Sequence, residues 1–318
     1  MVFSAEKYRL TLRFSLIFSL LFSLLAGGTP LLFSLPQGGP SLSVCVLSAL
    51  LFALILPLLY LYFTRKFRRR RTLLREPFPE TWRGILEREV RYYSSLGEKE
   101  QLRFRQEMQI FLHEKRITGV GTDVDDTCRV LVAASAVIPV FSFPDFDYDH
   151  LEEILIYPQS FTDEFDFASR DRDITGMVFS QSSAMIISKP SLYDGFRKAG
   201  GPDHVGIHEF AHKIDGEDGS IDGIPALLMD RKTSARWRIL MEREMSLIEG
   251  GRSDINPYAL TNRAEFFAVV SEYFFGSPEV MSRRHPELYR FLRRIFRQDT
   301  KTLYASVLRS MILPRRQK

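Results

Sequence analysis

Two histidines and a glutamate in the second half of the chain have the spacing of a metal site. His208 and His212 are four residues apart, and Glu209 directly follows the first histidine. On an α-helix, residues four apart lie on one face, so both imidazoles can point a nitrogen at the same cation. Glu209 borders the same cleft, where its carboxylate can accept a proton from a water on that cation. This HExxH arrangement predicts a hydrolytic site that depends on zinc.

A third ligand is needed, because zinc in catalytic sites takes three protein ligands and leaves a fourth position for water. His204 lies one turn before the motif, although a polar residue in the first turn of a helix needs no such role. Glu265 and Glu272 share one face of an apolar helical segment, where a buried carboxylate requires a partner or a cation. Glu265 also fits a capping box with Asn262. The residues alone leave the ligand open among Asp218, Glu265 and Glu272, with Glu242 and Glu244 as further candidates.

The motif lies in a segment whose pattern predicts a helix over residues 203–214, with Asp203 as its N-cap and Gly216 as its stop. Elsewhere, apolar periodicity predicts further helices, and short runs bounded by Pro, Gly and Ser predict strands. The predicted helices are 82–90, 98–115, 126–140 (capped by Asp126, with a strand as the alternative), 191–199, 230–249, 262–275 and two near the C-terminus. The predicted strands are Glu153–Tyr157, Met177–Ser180 and Ala184–Ser188. The fold class is therefore α+β, mostly helical, with a small sheet directly before the motif.

The first part of the chain has the composition of a membrane hairpin. Residues 14–64 contain no Asp, Glu, Lys, Arg or His, and a segment of this length suffices for two helical spans of about 20 residues. We predict transmembrane helices at about 14–35 and 42–63, joined by a turn of Pro and Gly residues. A cleaved signal peptide over residues 14–28 is the alternative.

Charge separates the two parts of the chain and orients the hairpin. Residues 1–75 carry ten basic residues and one acidic residue, whereas residues 76–318 have a net charge of −5. Basic residues precede the first span and Arg65–Arg71 follows the second. The positive-inside rule therefore places both termini in the cytoplasm, with the hairpin (1–75) in the inner membrane and residues 76–318 as a cytoplasmic domain.

Charge and cysteine content also exclude some classes of protein. The acidic larger part argues against direct binding of nucleic acid, which needs a clustered basic face. Two cysteines, Cys45 and Cys128, are too few for a disulfide framework or a cysteine-rich metal site. The lipid bilayer is thus the partner that the composition indicates most directly.

Three segments of the chain resemble the Mlc titration factor A family. They are His208–Gly216, Asn256–Ala259 and Ala264–Phe275, and the likeness extends from Phe78 to about residue 295. The family consists of zinc metallopeptidases of the gluzincin type, with a core similar to the catalytic domain of anthrax lethal factor. The resemblance therefore implies a zincin-like metallopeptidase fold for residues 76–318. The membrane hairpin departs from the soluble members, and residues 160–175 are more acidic than the family pattern.

The resemblance also implies a set of site residues. One zinc ion per chain would be held by His208, His212 and Glu265, with Glu209 as the general base. Tyr258 would donate a hydrogen bond to the transition state, and it stands seven residues before the ligand glutamate, as in the family.

Two further residues are candidates for a supporting role. Asp215 and Glu272 are expected to orient a ligand histidine through its other ring nitrogen.

Three functional hypotheses remain. The first hypothesis is a peptidase acting on peptides or proteins, either an aminopeptidase or an enzyme of limited scope. The second follows from the namesake member, which sequesters a transcriptional repressor of sugar uptake, and makes the protein a regulatory binding protein. The third is a structural metal site without turnover.

Overall fold

The computed structural model describes residues 5–34, 38–158, 183–197, 201 and 203–305. These residues belong to two compact units, an N-terminal unit that ends at Pro77 and a larger unit that begins at Phe78. The predicted strand Met177–Ser180 and the acidic segment 160–175 lie outside the described residues.

The N-terminal unit consists of two helices, α1 (Ala5–Ser34) and α2 (Leu42–Leu73), which pack against each other. Both are long and apolar enough to cross a membrane. Many of their large apolar side chains are exposed, among them Phe14, Leu25 and Leu54, and such exposure is unfavourable in water. Length and composition thus indicate a membrane association. Helix α2 continues past the predicted end of the second span, so the basic cluster extends this helix.

The larger unit is mostly helical, and the predicted helices are confirmed to within two residues at their described ends. In chain order its elements are α3 (Glu80–Glu89), α4 (Arg91–Ser94), α5 (Glu98–Glu114), β1 (Arg116–Gly119), α6 (Asp126–Val140), β2 (Glu153–Tyr157), β3 (Ala184–Ser188), α7 (Lys189–Arg197), α8 (Val205–Gly216), α9 (Arg231–Glu249), α10 (Arg263–Gly276), α11 (Pro278–Arg284) and α12 (Pro286–Phe296). The α+β class with a small sheet is confirmed.

The sheet is parallel, with the strand order β1-β2-β3. Ile117 of β1 lies opposite Ile154 of β2, which lies opposite Met185 of β3, and all three side chains are buried. The predictions of β2 and β3 are confirmed. Strand β1 was not predicted. Its four residues include only one buried apolar side chain and follow a helix almost directly, so they show no alternating pattern.

Helix α6 is central to the core, since every residue from Val130 to Val140 is buried. A helix buried all round shows no polar face, which is why the sequence also allowed a strand here. Helix α6 packs against α5 and against α8, which carries the motif. Gly206 permits the close approach of α8, because a Cβ at this position would lie 2.8 Å from the Cβ of Ser135.

Two predicted N-caps are wrong by one residue. Asp125, not Asp126, caps α6, since its Oδ1 accepts a hydrogen bond from the amide of Cys128 at 2.7 Å. His204, not Asp203, caps α8, because its Nδ1 accepts from the amide of Ile207 at 3.3 Å. In both helices the cap is the residue whose side chain reaches the amide three positions further on.

Candidate metal centre

Helices α8 and α10 bring two histidines and a glutamate to a single point. The Nε2 atoms of His208 and His212 on α8 are 3.1 Å apart. Glu265, in the first turn of α10, places its Oε2 3.1 Å from Nε2 of His208 and 3.3 Å from Nε2 of His212. Among the described residues, this trio is the group of potential ligands that converges closely enough to hold a metal ion.

The spacing and chemistry of the trio fit a zinc ion. Ligand atoms about 2.0 Å from a tetrahedral ion lie about 3.3 Å from one another, and the three separations here range from 3.1 to 3.3 Å. Oε2 of Glu265 is buried and makes no hydrogen bond among the described residues, although buried polar atoms nearly always have a partner. A cation between the three atoms would supply that partner.

The start of α10 directs Glu265 towards α8. Asn262 caps this helix by accepting a hydrogen bond from the amide of Glu265 at 2.9 Å, so the backbone of the first turn is fixed while the carboxylate faces the histidines. Burial alone would raise the pKa of this carboxyl, but the imidazoles of His208 and His212 outweigh burial and hold the pKa well below its ordinary value. The ionised form, which a metal ligand requires, is therefore favoured.

Glu272, two turns further along α10, holds the other side of the His208 ring. It is 9% exposed, and its Oε1 accepts a hydrogen bond from Nδ1 of His208 at 2.7 Å. Its Oε2 accepts from the backbone amide of His204, at the start of α8. Because a carboxylate only accepts, Nδ1 must carry a proton, so Nε2 is the nitrogen whose lone pair is available to a metal when the ring is neutral.

Glu209 and Tyr258 border the site without joining the trio. Glu209 is half-buried on α8, and burial raises the pKa of its carboxyl, an effect that the two histidines partly offset. Tyr258 lies in a 3₁₀ turn at Pro257–Leu260, with its ring centroid 6.1 Å from that of His208. A carboxyl with a raised pKa next to two histidines is suited to proton transfer.

The other candidates for the third ligand lie elsewhere. His204 caps α8, and the exposed Asp218 hydrogen-bonds to an amide of its own loop. Glu242 and Glu244 form ion pairs with arginines at 2.6 and 2.8 Å. Glu265 is therefore the candidate that the structure brings to the two histidines.

Asp215 accepts a hydrogen bond from the loop that follows α8. It is fully buried on α8, three residues after His212, and its Oδ2 accepts a hydrogen bond from the amide of Gly223 at 2.8 Å. Burial raises the pKa of this carboxyl to about 7, against the effect of that hydrogen bond. The partners of both Asp215 and Glu272 include backbone amides, which leave no trace in a sequence pattern. Gly223 was missed for this reason.

Two histidines one turn apart on one helix and a glutamate on a second helix form a possible metal site of the kind that a metallopeptidase uses. Residues 64–297 match the family described as glucose-regulated metallo-peptidase M90, and the chain belongs to this family.

Individual relatives agree with this assignment. The chain is 28% identical over 241 residues to an uncharacterized protein of Synechocystis sp., covering 72% of this chain and 87% of the relative. It is 29% identical over 221 residues to Mlc titration factor A of Escherichia fergusonii, covering 65% and 82%. The protein of the same name from Cronobacter sakazakii is 28% identical over 236 residues, covering 70% and 87%. The predicted resemblance is confirmed, and these matches support a metallopeptidase-like or regulatory role.

Proposed function

We propose that the protein is a membrane-anchored zinc metallopeptidase that hydrolyses peptide bonds. The observation that carries the proposal is the convergence of His208, His212 and Glu265 at mutual distances of 3.1–3.3 Å. These three residues would hold a zinc ion, which would lower the pKa of a bound water to about 7 and so provide a nucleophile at neutral pH. The substrate class is peptides or proteins, with an aminopeptidase-like or otherwise limited specificity.

The neighbouring side chains perform the remaining chemistry. Glu209 accepts a proton from the attacking water and delivers it to the leaving amine, and its raised pKa suits it to both steps. The hydroxyl of Tyr258 donates a hydrogen bond to the carbonyl oxygen of the substrate as negative charge develops there. Glu272 fixes the orientation of the His208 ring through Nδ1, which would direct Nε2 at a bound ion.

The substitution Glu209→Gln tests the proposal, because it removes the proton acceptor and preserves the size of the side chain. We expect loss of hydrolysis of a mixed peptide library, with zinc content unchanged in the purified full chain. Glu249→Gln is the control, since Glu249 is exposed at the end of α9. Turnover by Glu209→Gln at the level of the control would contradict the role of Glu209, and a wild-type chain without stoichiometric zinc would contradict the metal site.

A regulatory binding protein is the second candidate, favoured by the name Mlc titration factor A that several relatives carry. In this case the partner would be a transcriptional repressor, and peptidase activity would be secondary. The variant Glu209→Gln separates the two functions. A repressor that is captured and inhibited equally by wild type and variant favours sequestration, whereas an effect that needs Glu209 favours cleavage.

The membrane topology belongs to the same proposal. Two apolar helices of sufficient length and the basic cluster Arg65–Arg71 at the end of the second helix support a hairpin over residues 1–75 with the domain 76–318 in the cytoplasm. Protease added to inverted inner-membrane vesicles should degrade the domain, whereas protease added outside intact spheroplasts should spare it. The reverse pattern would refute this orientation.

A further inference from the structure

A chain of hydrogen bonds connects the end of α8 to α9 through the loop that follows α8. Oδ2 of the buried Asp215 accepts a hydrogen bond from the amide of Gly223 at 2.8 Å. The carbonyl of Gly223 accepts from Nε1 of Trp237, a fully buried residue of α9, at 2.7 Å. Both backbone polar groups of Gly223 are thus bonded to buried side chains, which fixes its position.

Gly223 also lies against the first turn of α10. Its φ is +76°, in the left-handed region. A Cβ at this position would lie 2.7 Å from the carbonyl carbon of Arg263 and 3.3 Å from the nitrogen of Ala264. The next residue of α10 is Glu265, so the position of Gly223 limits the position of the backbone that carries this ligand.

We propose that Asp215, Gly223 and Trp237 form a brace that positions the carboxylate of Glu265 relative to the two histidines. The brace begins on α8, three residues after His212, so it relates the third ligand to the helix that carries the other two. Trp237 also packs against Phe266 in the first turns of α10, with ring centroids 6.0 Å apart. These are positioning residues, and the inference rests on the proposed metal site.

The substitution Gly223→Ala tests the close approach. The added methyl group must displace the backbone at Arg263, and with it Glu265. Gly219→Ala is the matched control, because Gly219 lies in the same loop with a φ of +89° but has no neighbouring atom within 4 Å of a Cβ. Both variants therefore carry backbone strain, but of the two only Gly223→Ala also displaces α10. We measure the zinc dissociation constant of the full chain by competition with a chelator, together with the melting temperature of the zinc-free protein.

The expected result is a zinc dissociation constant raised about tenfold or more for Gly223→Ala, in the range found for residues that orient metal ligands, and unchanged for Gly219→Ala. In a Glu265→Ala background, the residual zinc affinity of the two histidines is measured with a weaker chelator, and Gly223→Ala should cause no further loss, because the ligand through which the brace acts is absent. A further loss of equal size in that background would show that Gly223 acts on α8 or on the fold in general, and would overturn the proposal.

A second pair of variants tests Asp215 without adding a methyl group to the loop. Asp215→Asn retains an oxygen acceptor for the amide of Gly223 and should keep the zinc affinity of the wild type. Asp215→Leu has a similar volume and no acceptor, and should lose affinity as Gly223→Ala does. Equal zinc affinity of the two Asp215 variants would overturn the brace. Failure of wild-type protein to bind zinc would instead overturn the proposed metal site.

Discussion

Replacement of Glu272 should weaken zinc binding by a predictable amount. Its carboxylate accepts a hydrogen bond from Nδ1 of His208 at 2.7 Å and a second one from the backbone amide of His204. A hydrogen bond to a charged group contributes about 1.5–3 kcal/mol, and each 1.4 kcal/mol is a factor of ten in a binding constant. If the bond to His208 is lost, the zinc dissociation constant should rise about 10- to 100-fold, the range found for groups that orient metal ligands.

Two substitutions and one control separate this effect from a general loss of stability. Glu272→Ala removes both acceptors, so its zinc dissociation constant should rise by a factor near the upper end of that range. Glu272→Gln keeps one acceptor for two donors, so its dissociation constant should rise by a factor near the lower end. Glu244→Gln is the control, because Glu244 is also a buried glutamate beside a histidine, His285 at 3.4 Å, but does not belong to the trio. It should lower the melting temperature and leave the zinc affinity unchanged. If Glu272→Ala and Glu244→Gln change the dissociation constant, measured by chelator competition, to the same extent, Glu272 does not act through His208.

Three further predictions follow from the described contacts. Glu265→Ala should abolish retention of stoichiometric zinc through dialysis, whereas Asp218→Ala should retain it, because Glu265 and not Asp218 lies beside the histidines; equal retention would refute the ligand assignment. Tyr258→Phe should lower kcat about 100-fold with zinc content unchanged, because it removes a donor to the transition state; loss of zinc would mean that the ring supports the site itself. Burial raises the pKa of Glu107 from 4.5 to about 7, so the folded chain binds this proton more tightly than the unfolded chain does. The resulting stabilisation is complete below about pH 4.5 and is lost as the pH rises through about 7. Glu107→Gln should remove a pH dependence of stability on the order of 3 kcal/mol, visible in unfolding experiments at acidic and neutral pH, and an unchanged pH dependence would contradict the assignment.

The parts of the fold that could be predicted are those governed by local patterns. The motif His208–His212 and the long amphipathic helices depend on spacing along one element, and their bounds agree with the structure to within two residues. Strand β1 has too few residues to show alternation, and the N-caps depend on which of two adjacent polar side chains, Asp203 or His204, reaches an amide. Such choices depend on rotamers and packing that a sequence pattern does not encode.

The third ligand could not be chosen from spacing for a different reason. Glu265 meets the histidines because α10 packs against α8, and this packing is a tertiary property. The sequence predicted that the carboxylates of Glu265 and Glu272 need partners, but the spacing did not show which of the two is the metal ligand. The structure distinguishes the two glutamates by their positions along α10. Glu265, in the first turn, faces the Nε2 atoms of both histidines, and Glu272, in the third turn, faces Nδ1 of His208.

Helices α8 and α10 are linked near both ends, and the trio lies between the two links. At the start of α8, the backbone amide of His204 and the ring of His208 both bond Glu272. At its end, Asp215 reaches the start of α10 through Gly223. The helices therefore run antiparallel, and the protein framework sets the distances between the three ligand atoms. Preorganisation of this kind lowers the ordering cost of binding. The two links act on different ligands, one on the ring of His208 and the other on the backbone of Glu265. Because the ligand atoms of these residues lie 3.1 Å apart and would share one ion, the effects on zinc affinity of breaking both links should differ from the sum of the separate effects.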